Sequence, residues 1–301
     1  MGSPRRGKLL AIDGRTVHVI ESGFGTPVVV LHGCGSIAEE MMGALEPHAA
    51  GLRLIALDRP GYGFSSPLTG DAGPAAQADW LRDVLDALGL ETAVVLAHSL
   101  GSATALSFGL RHPERLTALA LIAPFCRPTD HPAMPLMRAL TTPVIGDLIR
   151  QAVLPHLVPL IGPGRLAMAL APDRVPDYLI DFPFAHVAQP VATQTMAAEL
   201  IAFNSLGHEA WAEIAAVRAP VAVIVGEKDT IAEPVRHVDW LTSLLTGAEV
   251  TVLPGVGHTP HHADPRAVLD ALHRLIHRAI GEEDEPDTDA GLTERVPAAV
   301  V

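Results

Sequence analysis

The amino-acid sequence predicts an α/β fold built on a mostly parallel, doubly wound sheet, with a helical cap inserted between two groups of strands. Three observations predict this architecture. Short apolar runs alternate with segments of helical periodicity, which is typical of a parallel sheet with helices on both faces. The alternation stops between residues 123 and 206 and then resumes. Near Ser99, a strand turns into a helix within a few small residues.

The predicted strands and helices follow from their residue patterns. The first strand alternates polar and apolar residues and is expected to be half-exposed, whereas the others are short apolar runs between turn signals. The helices are marked by apolar residues at helical spacing and by proline or glycine at their ends. The predicted strands are Arg15–Glu21, Val28–Leu31, Leu52–Leu57, Ala93–Leu96, Leu116–Ile122, Val221–Val225 and Glu249–Leu253. The predicted helices are one ending near Ala50, Pro74–Leu88, one from Ser102 to about Arg111, Pro234–Leu245 and Pro265–Ile280.

The loss of strand–helix alternation between residues 123 and 206 predicts the cap. Ten prolines recur between Pro124 and Pro176, and short stretches rich in leucine, methionine and alanine separate them. No alternation of strand and helix is visible there, so we expect helices packed over the core. The predicted organisation is an α/β core at 1–123 and 207–281, a helical cap at 124–206 and an acidic, disordered tail at 282–301.

Composition limits the classes of partner and compartment. The chain has 301 residues, of which 49% are hydrophobic, so it can bury a sizeable core. Its net charge of −13 argues against a nucleic-acid partner. Two cysteines, Cys34 and Cys126, are too few for a disulfide framework. The N-terminal residues lack the apolar stretch of a secretory signal, so we expect a cytoplasmic protein with no membrane span. We expect no cofactor, and a homo-oligomer stays an open alternative.

The strand-to-helix corner contains the candidate nucleophile. Ser99 lies between Ala97 and Gly101, and small residues are needed at both positions because such a sharp turn crowds the neighbouring backbone. A serine on a strained corner, with a helix N-terminus behind it, is typical of a nucleophile. The neighbouring His98 is expected to pack under the corner. Because a motif of small residues is common, the rest of the chain must supply the serine's partners.

A serine hydroxyl is a weak nucleophile that needs a base, and the base needs an acid to orient it. His258 follows the last predicted strand in a glycine-rich loop and is the predicted base, although a surface loop histidine is the alternative. Asp229 follows the preceding strand and is the predicted acid, with Glu227 as its nearest rival. A turn residue or helix cap is the alternative interpretation of Asp229.

Backbone amides are expected to bind the negative charge that develops on a carbonyl oxygen during acyl transfer. The N–H of Leu100, directly after the nucleophile, is the first predicted donor. The second is the N–H of Cys34, in the glycine-rich loop after the second predicted strand. His32 is expected to hold this loop by a hydrogen bond. The alternative is an ordinary turn in which Cys34 fills space in the core.

Five motifs together carry a resemblance to a known family. They are HGCGS, DRPGYGFS, AHSLGS, GEKD and GVGHTPHHADP, in that order along the chain. Any one of them is weak evidence, but the ordered set resembles the α/β-hydrolase superfamily, in its capped branch with a serine nucleophile. The resemblance covers roughly Thr26–Pro124 and Pro220–Ile280, and the cap lies outside it.

The resemblance implies roles and also has departures. It implies that Ser99 is the nucleophile, Asp229 the acid and His258 the base. Ala97 stands where the family often has glycine. Ala263 stands where an acidic residue often follows the histidine loop.

A metal site is the competing interpretation of the histidine-rich loop. His258, His261 and His262 are close in sequence. We expect the side chains of His261 and His262 to diverge, because adjacent residues point apart on an extended loop. Asp264 is expected to cap the following helix, which begins with a proline. Metal binding is therefore disfavoured.

The function predicted from these residues is hydrolysis of a carboxylic ester with an apolar or aromatic acyl part, through an acyl-enzyme. The partner is expected to be a small apolar acyl or ketone substrate, because apolar side chains dominate the cap. The apolar cap residues are Met134, Leu136, Met137, Leu140, Leu157, Leu160, Met168 and Met196. One alternative is cleavage of a carbon–carbon bond in a diketone. A cofactor-free perhydrolase also stays open, although such relatives usually lack a long cap. An alternative of another class is a non-catalytic binding protein on the same scaffold.

Overall fold

An eight-stranded sheet forms the centre of the computed structural model, which describes residues 6–129, 133–206 and 211–281. The strands are β1 (Lys8–Ile12), β2 (Arg15–Gly23), β3 (Thr26–Leu31), β4 (Leu52–Leu57), β5 (Ala93–His98), β6 (Leu116–Ile122), β7 (Val221–Gly226) and β8 (Glu249–Leu253). Their order across the sheet is β1-β2-β4-β3-β5-β6-β7-β8. The pairs β1–β2 and β2–β4 are antiparallel and all other pairs are parallel, so the sheet is mostly parallel, as the sequence predicted.

Eleven α-helices are present in the described residues. They are α1 (Ala38–Leu45), α2 (Pro74–Leu88), α3 (Gly101–Arg111), α4 (Met134–Thr141), α5 (Ile145–Leu148), α6 (Leu154–Leu170), α7 (Phe184–Val187), α8 (Pro190–Ser205), α9 (Pro234–Leu244), α10 (Pro260–Ala263) and α11 (Pro265–Ile280). Five of them, α1, α2, α3, α9 and α11, cover the two faces of this sheet. One apolar core contains side chains of α2, α3 and α9, and the other contains side chains of α1 and α11. The residues of β3 alternate between these cores, which identifies the fold as doubly wound.

The sequence analysis missed β1. This strand pairs with β2 through a tight hairpin in which Ile12 lies opposite Arg15. The two turn residues, Asp13 and Gly14, have φ angles of +50° and +75°. An Asp-Gly pair with both φ angles positive is the turn that matches the twist of a two-residue hairpin. This Asp-Gly signal was present in the sequence and could have revealed the strand.

The helices α4 to α8 lie between β6 and β7, within the predicted cap. Met137 and Leu140 of α4, Leu154 of α6 and Ala197 of α8 form a small buried core of their own. Among the described residues, one continuous helix, Ile145–Leu170, is long and apolar enough to cross a membrane by length and composition, although little of it is buried. The predicted acidic tail, 282–301, lies outside the described residues.

Candidate active site

The corner at Ser99 is tight and strained. β5 ends at His98 and α3 begins at Gly101, so only two residues connect strand and helix. Ser99 has a φ of +51°, in the left-handed region that non-glycine residues avoid. Its N–H donates to the carbonyl of Ile122 at 2.9 Å, and its carbonyl accepts from the N–H of Phe125 at 3.1 Å. These bonds to the end of β6 and the loop after it hold the strained conformation in place.

Steric crowding explains why the residue two positions after Ser99 is a glycine. A Cβ atom on Gly101 would lie only 2.7 Å from the carbonyl oxygen of His32, at the end of β3. The first turn of α3 therefore packs directly against the backbone of a neighbouring strand. Any larger residue would push helix and strand apart and move Ser99 with them.

Three side chains meet at this corner. Nε2 of His258 lies 2.9 Å from Oγ of Ser99, and Nδ1 of the same ring lies 2.8 Å from Oδ2 of Asp229. All three side chains are buried. They follow the carboxyl ends of β5, β7 and β8, which a parallel sheet brings to one edge. The structure thus brings together the three residues that the sequence singled out.

The surroundings of Asp229 fix its ionisation state. Burial would raise the pKa of Asp229, but hydrogen bonds from His258 and from the backbone lower it below its usual value. Oδ1 accepts the N–H groups of Ile231 and Ala232 at 2.8 and 2.9 Å. An ionised carboxylate only accepts hydrogen bonds, so Nδ1 of His258 carries the proton. Nε2 is then free to accept the hydroxyl proton of Ser99.

The rival acid is placed elsewhere. Glu227 is exposed, and its carboxylate accepts the N–H of Gly255 at 3.0 Å. This bond joins the loops after β7 and β8. Glu227 therefore has a part in loop structure, and Asp229 is the acid that reaches His258.

The two predicted oxyanion donors have unused amides. Within the described part of the chain, neither the N–H of Leu100 nor that of Cys34 donates a hydrogen bond to a protein acceptor. Leu100 directly precedes α3, where the first amides of a helix lack partners inside the helix. Burial raises the pKa of the Cys34 thiol to about 12, so this side chain stays protonated and is no competing nucleophile.

A buried arginine holds the loop that contains Cys34. Arg59 donates to the carbonyl of His32 at 2.8 Å and to the carbonyl of Gly33 at 3.1 Å. Its guanidinium also forms an ion pair with Glu199 of α8. The ring of His32 bonds the Gly33 carbonyl through Nδ1 at 2.7 Å, so His32 does hold this loop. Sequence reasoning missed Glu199, because nothing in the cap sequence indicates where α8 docks.

His98 forms a specific hydrogen bond and does not only fill space under the corner. Its Nε2 donates to the backbone carbonyl of His258 at 3.0 Å, which fixes the proton on that nitrogen. Burial and the neighbouring rings of His261 and His258 lower the pKa of His98 well below its usual range. A neutral His98 therefore holds the backbone of the base from the strand that carries Ser99.

The prediction that His261 and His262 diverge is wrong. They lie on a single helical turn, α10, and both rings turn toward Glu40 of α1. Nε2 of His261 lies 3.0 Å from Oε1 of Glu40, and His262 contacts the same oxygen. Tyr178 of the cap contacts Nδ1 of His262 at 2.6 Å. The carboxylate that anchors the histidine loop is thus that of Glu40. In the family an acidic residue often stands at the position of Ala263 instead.

The same three side chains are a candidate metal-ligand set. The ligand atoms of Glu40, His261 and His262 lie within 4.8 Å of one another. Each of these atoms is already paired, because Oε1 accepts from both rings and Oε2 accepts from Ser36 at 2.9 Å. We therefore interpret the cluster as a hydrogen-bonded anchor. Asp264 caps α11 by accepting the N–H of Ala267 at 2.9 Å, as predicted.

The apolar cap residues do not all face the site. Met137 and Leu140 fill the core of the cap itself. Leu160 and Met168 are exposed to solvent. Met196 lies over the loop after β3, since a Cβ atom on Gly35 would be 3.7 Å from its sulfur. Met196 therefore reaches the loop that carries Cys34.

Comparisons with known proteins give the family. The model of the alpha/beta hydrolase fold matches residues 26–265. An uncharacterised protein of Mycobacterium tuberculosis is 26% identical over 280 residues, which cover 87% of this chain and 80% of that protein. The 2-hydroxy-6-oxo-6-phenylhexa-2,4-dienoate hydrolase of Comamonas testosteroni is 35% identical over 113 residues, covering 36% of this chain and 40% of that enzyme.

A solved structure agrees over nearly the whole chain. The thermophilic esterase of Thermogutta terrifontis superposes with a TM-score of 0.68 and 21% identity, covering 91% of this chain and 99% of the esterase. At this identity the likeness concerns the fold alone. Because the family model matches most of the chain, from residue 26 to residue 265, the chain belongs to the alpha/beta hydrolase fold family.

Proposed function

We propose that the protein is a serine hydrolase that cleaves a carboxylic ester with an apolar or aromatic acyl part through an acyl-enzyme. The observation that carries the proposal is the continuous hydrogen-bonded line from Asp229 through His258 to Ser99, with contacts of 2.8 and 2.9 Å. This line combines a nucleophile, a base and an orienting acid, as acyl transfer by serine requires.

The first half of the reaction forms the acyl-enzyme. Oγ of Ser99 attacks the ester carbonyl carbon while its proton passes to Nε2 of His258. The ionised Asp229 stabilises the imidazolium that results. The carbonyl oxygen becomes negative and accepts hydrogen bonds from the amides of Leu100 and Cys34. His258 then gives its proton to the leaving alkoxide, the C–O bond breaks, and an alcohol departs.

The second half of the reaction hydrolyses the acyl-enzyme and regenerates the free Ser99 hydroxyl. A water molecule gives a proton to Nε2 of His258 and attacks the acyl carbon. The same two amides stabilise the second tetrahedral intermediate. When it collapses, Oγ of Ser99 leaves the carbon and recovers a proton from His258, and the carboxylic acid is released. His258 acts as base and acid in each half, which requires the tautomer that Asp229 imposes.

The substrate class rests on the surroundings of the serine and on the relatives. Met196 reaches the loop that carries Cys34, and the thiol of Cys34 is uncharged. An apolar side chain and an uncharged thiol at this loop favour an apolar or aromatic acyl group over an ionic one. The Thermogutta terrifontis structure is that of an esterase, so the same fold can support ester hydrolysis.

Carbon–carbon bond cleavage is the second candidate. The relative from Comamonas testosteroni is named as a 2-hydroxy-6-oxo-6-phenylhexa-2,4-dienoate hydrolase, and it is 35% identical over the aligned part. Parallel assays on p-nitrophenyl esters and on a vinylogous 1,5-diketone separate the two activities. Faster turnover of the diketone, measured as kcat/KM, would favour the second candidate.

Labelling with a fluorophosphonate probe tests the proposal. We expect covalent labelling of the wild type at Ser99, and loss of both labelling and ester turnover in Ser99→Ala. Ser102→Ala is the matched control, because Ser102 is also buried on the same segment but its hydroxyl donates to the carbonyl of Ala97. A wild-type protein that neither reacts with the probe nor turns over any ester would instead favour a non-catalytic binding protein.

A further inference from the structure

The cap presents an apolar face that nothing in the described structure covers. The helix Ile145–Leu170 carries large apolar side chains that point into solvent; Leu160 is 78% exposed and Leu148 is 66% exposed. Monomeric soluble proteins rarely expose contiguous apolar surface on this scale unless it binds something. We call this surface the cap ridge, and its members are Ile145, Leu148, Val153, Leu157, Leu160, Ile161 and Met168.

The charge pattern along the cap ridge differs from that of the chain. The protein has 34 acidic and 21 basic residues, yet no acidic residue occurs between Leu148 and Pro172. Arg150 is buried and bonded to Asp147 and to the carbonyl of Leu140. Arg165 is exposed on the same helix. Asp147, near the start of the helix, is the exception, because its side chain is half-exposed and pairs with Arg150. From Leu148 onward the helix has no carboxylate to dehydrate when it enters an apolar phase, and an exposed arginine suits a phosphate group.

We propose that the cap ridge rests on the surface of a phospholipid bilayer. The apolar side chains would enter the boundary between head groups and acyl chains, and Arg165 would contact lipid phosphates. The helix has 26 residues and is therefore about 39 Å long, so it can contact several lipids at once.

The helix lies along the bilayer rather than across it. Its inward side is held by the protein, because Leu154 and Leu170 are buried and Leu154 belongs to the core of the cap. Gly162 packs closely against Phe184 of α7, because a Cβ atom at position 162 would lie only 2.3 Å from the Phe184 ring. A helix fixed along one side in this way cannot be surrounded by lipid, as a membrane-spanning helix is.

A lipid surface fits this face better than a second copy of the chain. A stable protein interface uses about 20–30 residues on each side. The cap ridge is one face of a single helix with seven large exposed apolar side chains, so it alone does not supply the number of residues that such an interface uses. Partition into a bilayer has no such minimum area, because each apolar side chain that leaves water adds its own favourable contribution.

Sedimentation with phosphatidylcholine vesicles tests the proposal. We expect the wild type to bind and the double variant Leu148→Glu with Leu160→Glu to bind at least tenfold more weakly. Val235→Glu is the matched control, because Val235 is 79% exposed on α9 outside the cap, and its binding should stay within twofold of the wild type. All three positions are exposed, so circular dichroism should show native folding for each variant.

Three results would overturn the proposal. They are a wild type that does not bind vesicles, a double variant that binds as well as the wild type, and a wild-type dimer in light scattering that the double variant dissociates. The last result would assign the face to a second copy. The inference goes beyond the proposed function and does not depend on it: Ser99→Ala should bind vesicles like the wild type, whatever its effect on ester turnover.

Discussion

Removing the charge of Glu199 should destabilise the protein strongly and loosen the loop of residues 32–34. We call this loop the oxyanion loop, because it carries the proposed oxyanion donor Cys34. Glu199 accepts hydrogen bonds from Tyr62 at 2.6 Å and Gln77 at 3.0 Å and forms an ion pair with Arg59, whose side chain is fully buried. In Glu199→Gln the guanidinium keeps its charge and loses its counter-ion in a buried site. Breaking a buried ion pair in this way costs about 3–5 kcal/mol. Urea unfolding, followed by circular dichroism, measures the loss.

The control is an ion pair of the same kind on the surface. Arg115 and Asp86 form a salt bridge in which the aspartate is largely exposed, so Asp86→Asn should cost about 1 kcal/mol or less. Because Arg59 also holds the carbonyls of His32 and Gly33, Glu199→Gln should lower kcat for an ester more than it changes KM. A loss of unfolding free energy below 1 kcal/mol would refute the stability argument. An unchanged kcat would refute the link to the oxyanion loop.

Three further predictions follow from single contacts. Gly101→Ala should lower the free energy of unfolding by about 1–3 kcal/mol and reduce ester turnover, because its Cβ would lie 2.7 Å from the His32 carbonyl oxygen. Gly164→Ala is the control and should not destabilise the protein, because the space around Gly164 is open. Urea unfolding measures both variants. His98→Ala should lower kcat more than His98→Gln, whose amide can still donate to the His258 carbonyl; equal values would contradict the positioning role. Burial lowers the pKa of His32 to about 4, so the unfolded chain, with an ordinary pKa of about 6.5, binds a proton that the folded chain excludes. The free energy of unfolding should therefore fall as the pH falls from about 6.5 toward about 4, and His32 should account for about 2 kcal/mol of the loss at pH 5. In His32→Asn, urea unfolding should show a smaller loss over the same pH range.

The core and the three central side chains were predictable because each depends on local pattern and on one topological rule. Apolar runs located β4 and β6 to the residue, and the Pro74 and Gly89 signals located α2. Parallel strands place their carboxyl ends at one edge of a sheet. Residues that follow separate strands, such as Ser99 and His258, therefore meet although they lie far apart in the chain.

The contacts that support the site were not predictable in the same way. Arg59 and Glu199 are 140 residues apart, and their pairing depends on how the cap docks, which hydrophobic periodicity does not specify. The turn of His261 and His262 toward Glu40 depends on one helical turn after Pro260, where an extended loop was expected. In both cases a short local conformation or a packing angle decides which polar groups meet.

The central claim is that the Ser99 hydroxyl becomes acylated during turnover. The most direct measurement is the mass of the protein after rapid acid quenching of a reaction with p-nitrophenyl butanoate, followed by peptide mapping. We expect one butanoyl group per chain, on Ser99, and no such adduct in His258→Gln. Turnover without any acylated protein, or an adduct on another residue such as Cys34, would contradict it.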